Sequence, residues 1–202
     1  MTLIAFVRHG QSVANVNRIL SDDIDNYPLT DEGRKQALNA ANELKKISPN
    51  RIYTSPVLRA YQTATIIGEV LGISPIVDER LRERGLGELN NKKVNQEEFL
   101  KLLIERKDVK GLESWELLKK RMIDFVNSVL SQEASTIVAV THHDLIKAFL
   151  SYILNLDEIS AWGLRIPNAS ITLVDCKKVT DCEILTIGAP ILTSDLLSRL
   201  KR

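Results

Sequence analysis

Short apolar runs alternate with helical patterns along most of the chain, and that alternation admits few folds. Runs at residues 3–7 (LIAFV), 51–54, 75–77, 136–140, 170–175 and 183–187 are bounded by turn signals and read as strands. Between them, "LTDEGRKQALNAANELKKI" predicts a helix with Thr30 as N-cap, acids in its first turn, lysines in its last, and an end before Pro49. "SPVLRAYQTATIIGEVLG" places Pro56 near the first helical position and Gly72 at the C-cap. "ESWELLKKRMIDFVNSVL" repeats apolar residues from Trp115 to Val129 at helical spacing, and "HDLIKAFLSYIL" follows the fourth strand directly. Such alternation implies βαβ units, hence an α/β fold with a mainly parallel sheet covered on both faces. The last two runs read as an antiparallel hairpin at one edge.

Residues 88–112 break the rhythm. This polar, charged stretch holds one short helix with Phe99, Leu102 and Leu103 on a face, and reads as a small lid inserted over the sheet edge. At 202 residues the chain fits a single domain, 1–202, with that lid embedded in it. A net charge of +1 argues against general nucleic-acid binding, which needs a basic surplus. The start "MTLIAFVRHG" lacks a basic leader and no run approaches membrane-span length, so a cytoplasmic location without membrane contact is expected. Cys176 and Cys182 are too few for a disulfide scaffold and read as plain thiols; because they flank "KKVTD" in the expected hairpin, a cross-strand disulfide is the alternative.

The reactive residues fall at strand ends. Arg8 and His9 follow the first strand, Arg59 lies in the first turn of the helix after the second, Glu83 follows the third, and His142 the fourth. In a parallel sheet those ends share one edge, so four distant segments converge on one crevice. Two arginines, which match phosphoryl oxygens in pairs, and a helix start after Gly10 describe a phosphoryl pocket. All three histidines, His9, His142 and His143, belong to this set. A neutral His9 amid cations is a candidate nucleophile, a protonated His142 a candidate stabiliser of the transition state, and Glu83 a candidate proton donor to the leaving alkoxide. A metal is the poorer reading, since adjacent histidines point apart in an extended strand.

"FVRHGQSVAN", "LTDEGRKQA", "YTSPVLRAYQTA", "LRERGLGE" and "VTHHDLI" occur in the order and approximate spacing of the histidine phosphatase superfamily, and the chain resembles its phosphoglycerate mutase-like branch from residue 4 to about 150. The resemblance implies a three-layer α/β/α sandwich and a phosphohistidine intermediate on His9, with Arg8, Arg59 and His142 completing the phosphate pocket and Glu83 as proton donor. It further implies Asn15 as a phosphoryl contact, Ser12 as a weaker one, and no metal or organic cofactor. Glu113-Ser114 matches the family's glutamate-serine pair, which makes Glu113 a candidate substrate contact. Two departures stand out: His143 replaces the usual glycine after the second histidine and becomes a further candidate contact, and "LNNKK" follows "LGE" where many relatives carry tryptophan, acid and glycine.

Water as phosphoryl acceptor makes a phosphatase; a retained phosphorylated acid makes a mutase. Cofactor-dependent mutases of this family are longer, with larger lids, so the short lid favours a phosphomonoester phosphatase acting on a small molecule. Lys92, Lys93, Arg106, Lys107 and Lys110 could draw in anions, though a solvated lid accounts for them equally. The edge hairpin offers a surface for pairing into a homodimer.

Overall fold

The computed structural model describes residues 1–94, 96–105, 108–132 and 135–200. Among these, six strands form one sheet in the order β3-β2-β4-β1-β5-β6, with β1 at Thr2–Arg8, β2 at Arg51–Thr54, β3 at Pro75–Val77, β4 at Thr136–Thr141, β5 at Ile171–Lys178 and β6 at Asp181–Ala189. The first four run parallel, and β5 and β6 form the antiparallel edge. The pleat sorts side chains between two layers. Ile4, Phe6, Ile137, Ala139 and Val174 meet helices α5 (Trp115–Leu130) and α6 (His143–Leu154) on one face. Ala5, Val7, Ile52, Val138 and Val140 meet α2 (Asp31–Leu44), α3 (Leu58–Leu71) and α8 (Ser194–Arg199) on the other. A three-layer α/β/α sandwich results. Both faces of β1 and β4 are fully buried, which is why they read as unbroken apolar runs rather than alternating ones.

Thr30 caps α2 as expected, its hydroxyl accepting from Gly33 N–H at 3.0 Å, and Gly72 closes α3 at φ 71°. Pro56, however, precedes the helix: Val57 is the N-cap and Leu58 the first helical residue, because Ser55 Oγ accepts from Val57 N–H and holds the chain in an extended turn. The hairpin strands run further than their apolar cores, into Lys178 and from Asp181, since charged residues at a hairpin tip still pair through their backbone. A short helix α7 (Glu158–Ala161) went unread; Asp157 caps it.

One expectation is corrected: the cysteines are not free thiols, because the hairpin places Cys176 directly opposite Cys182 and the two form a disulfide. At the sheet edge formed by the strands' carboxyl ends lies the lid. Its helix α4 (Gln96–Ile104) turns Phe99 inward, and Phe99 joins Leu86 and Leu89 in a small core with Leu20, Leu102, Leu103 and Trp162, over the carboxyl ends of the strands. The ring centroids of Phe99 and Trp162 are 5.3 Å apart. Leu20 and Trp162 lie beside the crevice, so the apolar face of α4 finds its partners there. Lys92, Lys93 and Lys110 are exposed on the lid, and Arg106 and Lys107 lie outside the described residues.

The turn after β1 is fixed by backbone contact with α2. A Cβ on Gly10 would strike the Gly33 carbonyl oxygen, and one on Gly33 would strike the carbonyl of Gln11. Gly10 therefore serves close helix packing rather than ligand approach. The following helix α1 (Val13–Asn17) has only five residues, and its first donors are already matched: Val13 N–H to Pro28 O at 2.9 Å and Asn15 N–H to Ser12 Oγ at 3.3 Å. Its amino end offers an anion little. Gly33→Ala should lower unfolding stability by about 1–3 kcal/mol through overpacking, whereas exposed Glu32→Ala should stay within about 0.5 kcal/mol; urea titrations of both variants check this, and an unaffected Gly33→Ala would show the contact to be loose.

Candidate active site

Each parallel strand delivers its reactive residue to the shared edge. Arg8, His9, Asn15, Ser21, Arg59, Glu83, His143 and Asp144 line a pocket of about 210 Å³, whose remaining wall is apolar: Ala14, Ile19, Leu20, Leu86, Phe99 and Trp162. His142 stands immediately behind Glu83, fully buried, its ring centroid 5.2 Å from that of His9.

His9 is only 2% exposed. Its Nδ1 lies 2.7 Å from Gly10 O, which fixes Nδ1 as the protonated nitrogen and leaves the lone pair on Nε2. That lone pair accepts from Arg59 Nε at 3.2 Å. Burial, then the charges of Arg59, His142 and Arg8, hold His9 well below the usual histidine range. Asn168 adds a second clamp, donating to His9 O at 3.0 Å.

Arg59 binds the set together. Its Nη2 donates to Ser21 O at 2.8 Å and to Glu83 Oε2 at 3.1 Å, and lies 3.5 Å from His142 Nδ1, while Nη1 is buried with no protein partner among the described residues. Thr63, one turn along α3, accepts from Gly10 N–H at 3.0 Å and donates to Arg59 O at 2.7 Å, tying the nucleophile turn to the arginine helix. Arg8 donates to Ile166 O at 2.7 Å, and burial pushes its guanidinium down to about 10, still charged at neutral pH.

Glu83 and His142 form a pair, with Oε2 3.1 Å from Nδ1. Burial alone would raise the Glu83 carboxyl, but His142 and Arg59 outweigh it and hold it well below the carboxylate range. On the far side of the ring, His142 Nε2 meets Ser55 Oγ at 2.8 Å. Asn15 Oδ1 receives Ser12 N–H at 3.0 Å and Asn168 Nδ2 at 3.2 Å, so its Nδ2 is the amide atom left for a ligand.

Two candidates lie elsewhere. Ser12 is fully buried and does not line the pocket; its hydroxyl is engaged with Asn15 in the cap of α1. Glu113 is a brace rather than a substrate contact, because Arg121 takes both its oxygens at 2.7 Å and Gly85 N–H donates to it at 2.9 Å. Arg121 also donates to the carbonyls of Arg80 and Arg82, so the pair holds the backbone around Glu83. Sequence reasoning missed Ser21, Ser55, Thr63, Arg121, Asn168 and the buried Arg84, whose guanidinium lies between the rings of Phe99 and Trp115 and pairs with Glu158 at 2.7 Å. Ser55, Thr63, Arg84 and Arg121 fall inside segments already singled out, whereas Ser21 and Asn168 do not.

His9, Glu83 and His142 present ligand atoms within 4.8 Å of one another, a spacing compatible with a metal ion. Arg59 donates to two of the three and is itself buried, so a dication there would face a fixed guanidinium charge at close range. The donor set suits an anion better.

All three histidines are held below their ordinary value, with burial the largest cause in each. A histidine depressed in the folded state takes up its proton more readily in the unfolded chain, so it favours unfolding as pH falls below the unfolded value of 6.5. Glu83, also depressed, adds stability above the unfolded carboxylate range that is lost on further acidification. The urea midpoint should therefore decline from pH 7.5 through 5.5 and on to 4; a flat profile would contradict the buried neutral imidazoles.

The model of the histidine phosphatase superfamily (branch 1) matches residues 4–187. A 2,3-bisphosphoglycerate-dependent phosphoglycerate mutase of Thermoplasma acidophilum is 40% identical, covering 97% of this chain and 96% of its own. A putative phosphoserine phosphatase 2 of Hydrogenobacter thermophilus is 32% identical over 85% of this chain and 88% of its own. Among solved structures, a mycobacterial glucosyl-3-phosphoglycerate phosphatase in complex with VO3 superposes with a TM-score of 0.79 at 27% identity, covering 94% of this chain and 100% of that one. Bacillus stearothermophilus YhfR gives 0.82 at 26% identity over 97% and 100%. With a match from its first strand to its last, the chain belongs to the histidine phosphatase superfamily.

Proposed function

We propose that this protein is a phosphomonoester phosphatase that works through a phosphohistidine on His9. The observation that carries the reading is the fixed tautomer: Nδ1–H is committed to Gly10 O, and the Nε2 lone pair faces a pocket walled by two guanidinium groups. A phosphoryl oxygen takes over the Arg59 Nε donor, which frees the lone pair for in-line attack on phosphorus. Arg59 Nη1 and Arg8 Nε, buried donors without acceptors among the described residues, gain charged partners in the same event. The amide of Asn15 supplies a further donor to the equatorial oxygens, where charge accumulates in a loose transition state, and His142 acts from behind through the Glu83 oxygen that its Nδ1 meets at 3.1 Å. Glu83 gives a proton to the departing alkoxide as the P–O bond breaks. It then takes one from the water whose oxygen attacks phosphorus and releases His9. No metal enters the scheme.

Hydrolysis rather than mutation is favoured by the apolar part of the wall: none of the described lid lysines lines the pocket, and Leu20, Leu86 and Phe99 carry no polar group to retain a phosphorylated acid against His9. Chain length carries no weight in this choice, because the Thermoplasma acidophilum mutase aligns over 96% of its own length. That relative sustains mutase activity as the second reading. Brief exposure to labelled phosphomonoester in excess chelator should give an acid-labile, base-stable phosphoprotein with net phosphate release faster than phosphoglycerate isomerisation. His9→Ala should remain unlabelled. Isomerisation outrunning hydrolysis would establish the mutase, and a labelled His9→Ala protein would exclude the nucleophile.

Glu83→Gln keeps the shape and removes the proton. Turnover of alkyl phosphates should fall about 10²–10⁴-fold, and that of p-nitrophenyl phosphate much less, since its leaving group needs little protonation. Equal losses on both substrates in steady-state assays would remove Glu83 from the proton-donor role.

A further inference from the structure

Beside the phosphoryl pocket, between α6 and the segment 162–168, lies a cavity of about 540 Å³ whose walls include Arg8, His143, Lys147, Trp162, Arg165 and Asn168, and no carboxylate among the described residues. It shares Arg8, His143 and Trp162 with the first pocket. We propose that this cavity is a second anion subsite, taking a carboxylate or phosphate group between Lys147 and Arg165 at the flank of Arg8.

Lys147 is the central observation. It follows His143 by one helical turn, so both side chains stand on the same face of α6. A lysine on a protein surface ordinarily keeps its ammonium in water, whereas this one is 1% exposed. Its Nζ donates to Trp162 O at 3.1 Å and lies 4.7 Å from the centre of the indole ring. Those are its contacts among the described residues, and no carboxylate stands within ion-pair distance. Asp144, the acid that acts on it at longer range, is engaged by His143 at 3.0 Å and by Arg84 at 3.7 Å. Burial pushes the ammonium down to about 8, so it stays mostly charged at neutral pH. A buried cation with one neutral acceptor is costly unless a counter-charge arrives. Arg165 is exposed at the rim and supplies attraction from solvent. Asp144 also directs His143: it holds Nδ1, leaving Nε2 as the ring atom able to meet a ligand, and the ring lies edge-on to Trp162 at 5.6 Å. The anion could be the distal group of the phosphomonoester or a separate small anion, with the same recognition chemistry.

Calorimetric titration with inorganic phosphate should resolve two sites on the wild-type protein and one on Lys147→Met, whose side chain keeps the packing volume. Arg165→Gln, at an exposed position that does not endanger folding, should weaken the second site several-fold. The kinetic arm rests on the proposed phosphatase activity: the ratio of kcat/KM for 3-phosphoglycerate to that for p-nitrophenyl phosphate should drop about tenfold in Lys147→Met if the subsite holds the substrate's own second anion. A lost second phosphate site with that ratio unchanged assigns the subsite to a separate anion. A single phosphate site on the wild type, or a second site that both variants leave intact, overturns the proposal. The binding arm needs no turnover, so an absence of hydrolysis would count against the phosphatase reading alone.

Discussion

The buried guanidinium of Arg59 ties the candidate nucleophile to the candidate acid. One side chain reaches His9, Glu83, the carbonyl of Ser21 and the edge of His142, which arrive from four separate segments of the chain. Burial lowers its affinity for the proton, with Glu83 opposing that shift, yet an arginine remains charged under such conditions where a lysine would not. Two consequences follow from the planar fork. Nε and Nη2 fix the relative positions of the candidate nucleophile and the candidate acid, and Nη1 is left without an acceptor among the described residues. The site is satisfied inside the protein on two edges and calls for an anion on the third.

Such an arrangement survives only if its supports are rigid, because removing one partner from a buried charge network costs about 3–5 kcal/mol. The supports here are mostly backbone and other arginines. Thr63 joins α3 to the turn at Gly10, and Gly33 lets α2 press against the same turn. Below Glu83, Arg121, held by Glu113, donates to the carbonyls of Arg80 and Arg82, while Arg84, sandwiched by Phe99 and Trp115, ties this loop to both the lid and α7. The lid and the candidate acid are therefore mechanically linked: Phe99 lines the pocket with one face and covers Arg84, the neighbour of Glu83, with the other.

The sheet, its parallel core and its edge hairpin were legible because buried strands announce themselves as apolar runs, and the convergence of Arg8, His9, Arg59, Glu83 and His142 followed from strand order alone. What escaped depended on contacts between distant segments. Glu113 beside Ser114 looks the same in sequence whether it faces a ligand or Arg121. Ser12 looks like a phosphate contact until Asn15 closes the cap upon it. The lid's place over the crevice rests on Trp162, some sixty residues beyond it in the chain. Cys176 and Cys182 pair because two strands bring them level, and their spacing in the hairpin allows that pairing without fixing the register that decides it.

The electrostatics of the Glu83–His142 pair give the proposed reaction its order. The two groups lie 3.1 Å apart, and the carboxyl is held well down by His142 and Arg59 against the effect of burial, so Glu83 is a poor acid. In the proposed reaction a phosphoryl dianion bound against Arg59 offsets part of the charge that depresses Glu83, and the dianion's own charge and burial both push the carboxyl upward, which favours uptake of a proton. Once phosphate leaves, the guanidinium charges act on Glu83 again and it returns to the anionic state, able to accept a proton but not to give one. Such alternation requires an acid that is buried, close to two arginines and joined to a histidine, and the end of the third strand is where the fold supplies all three.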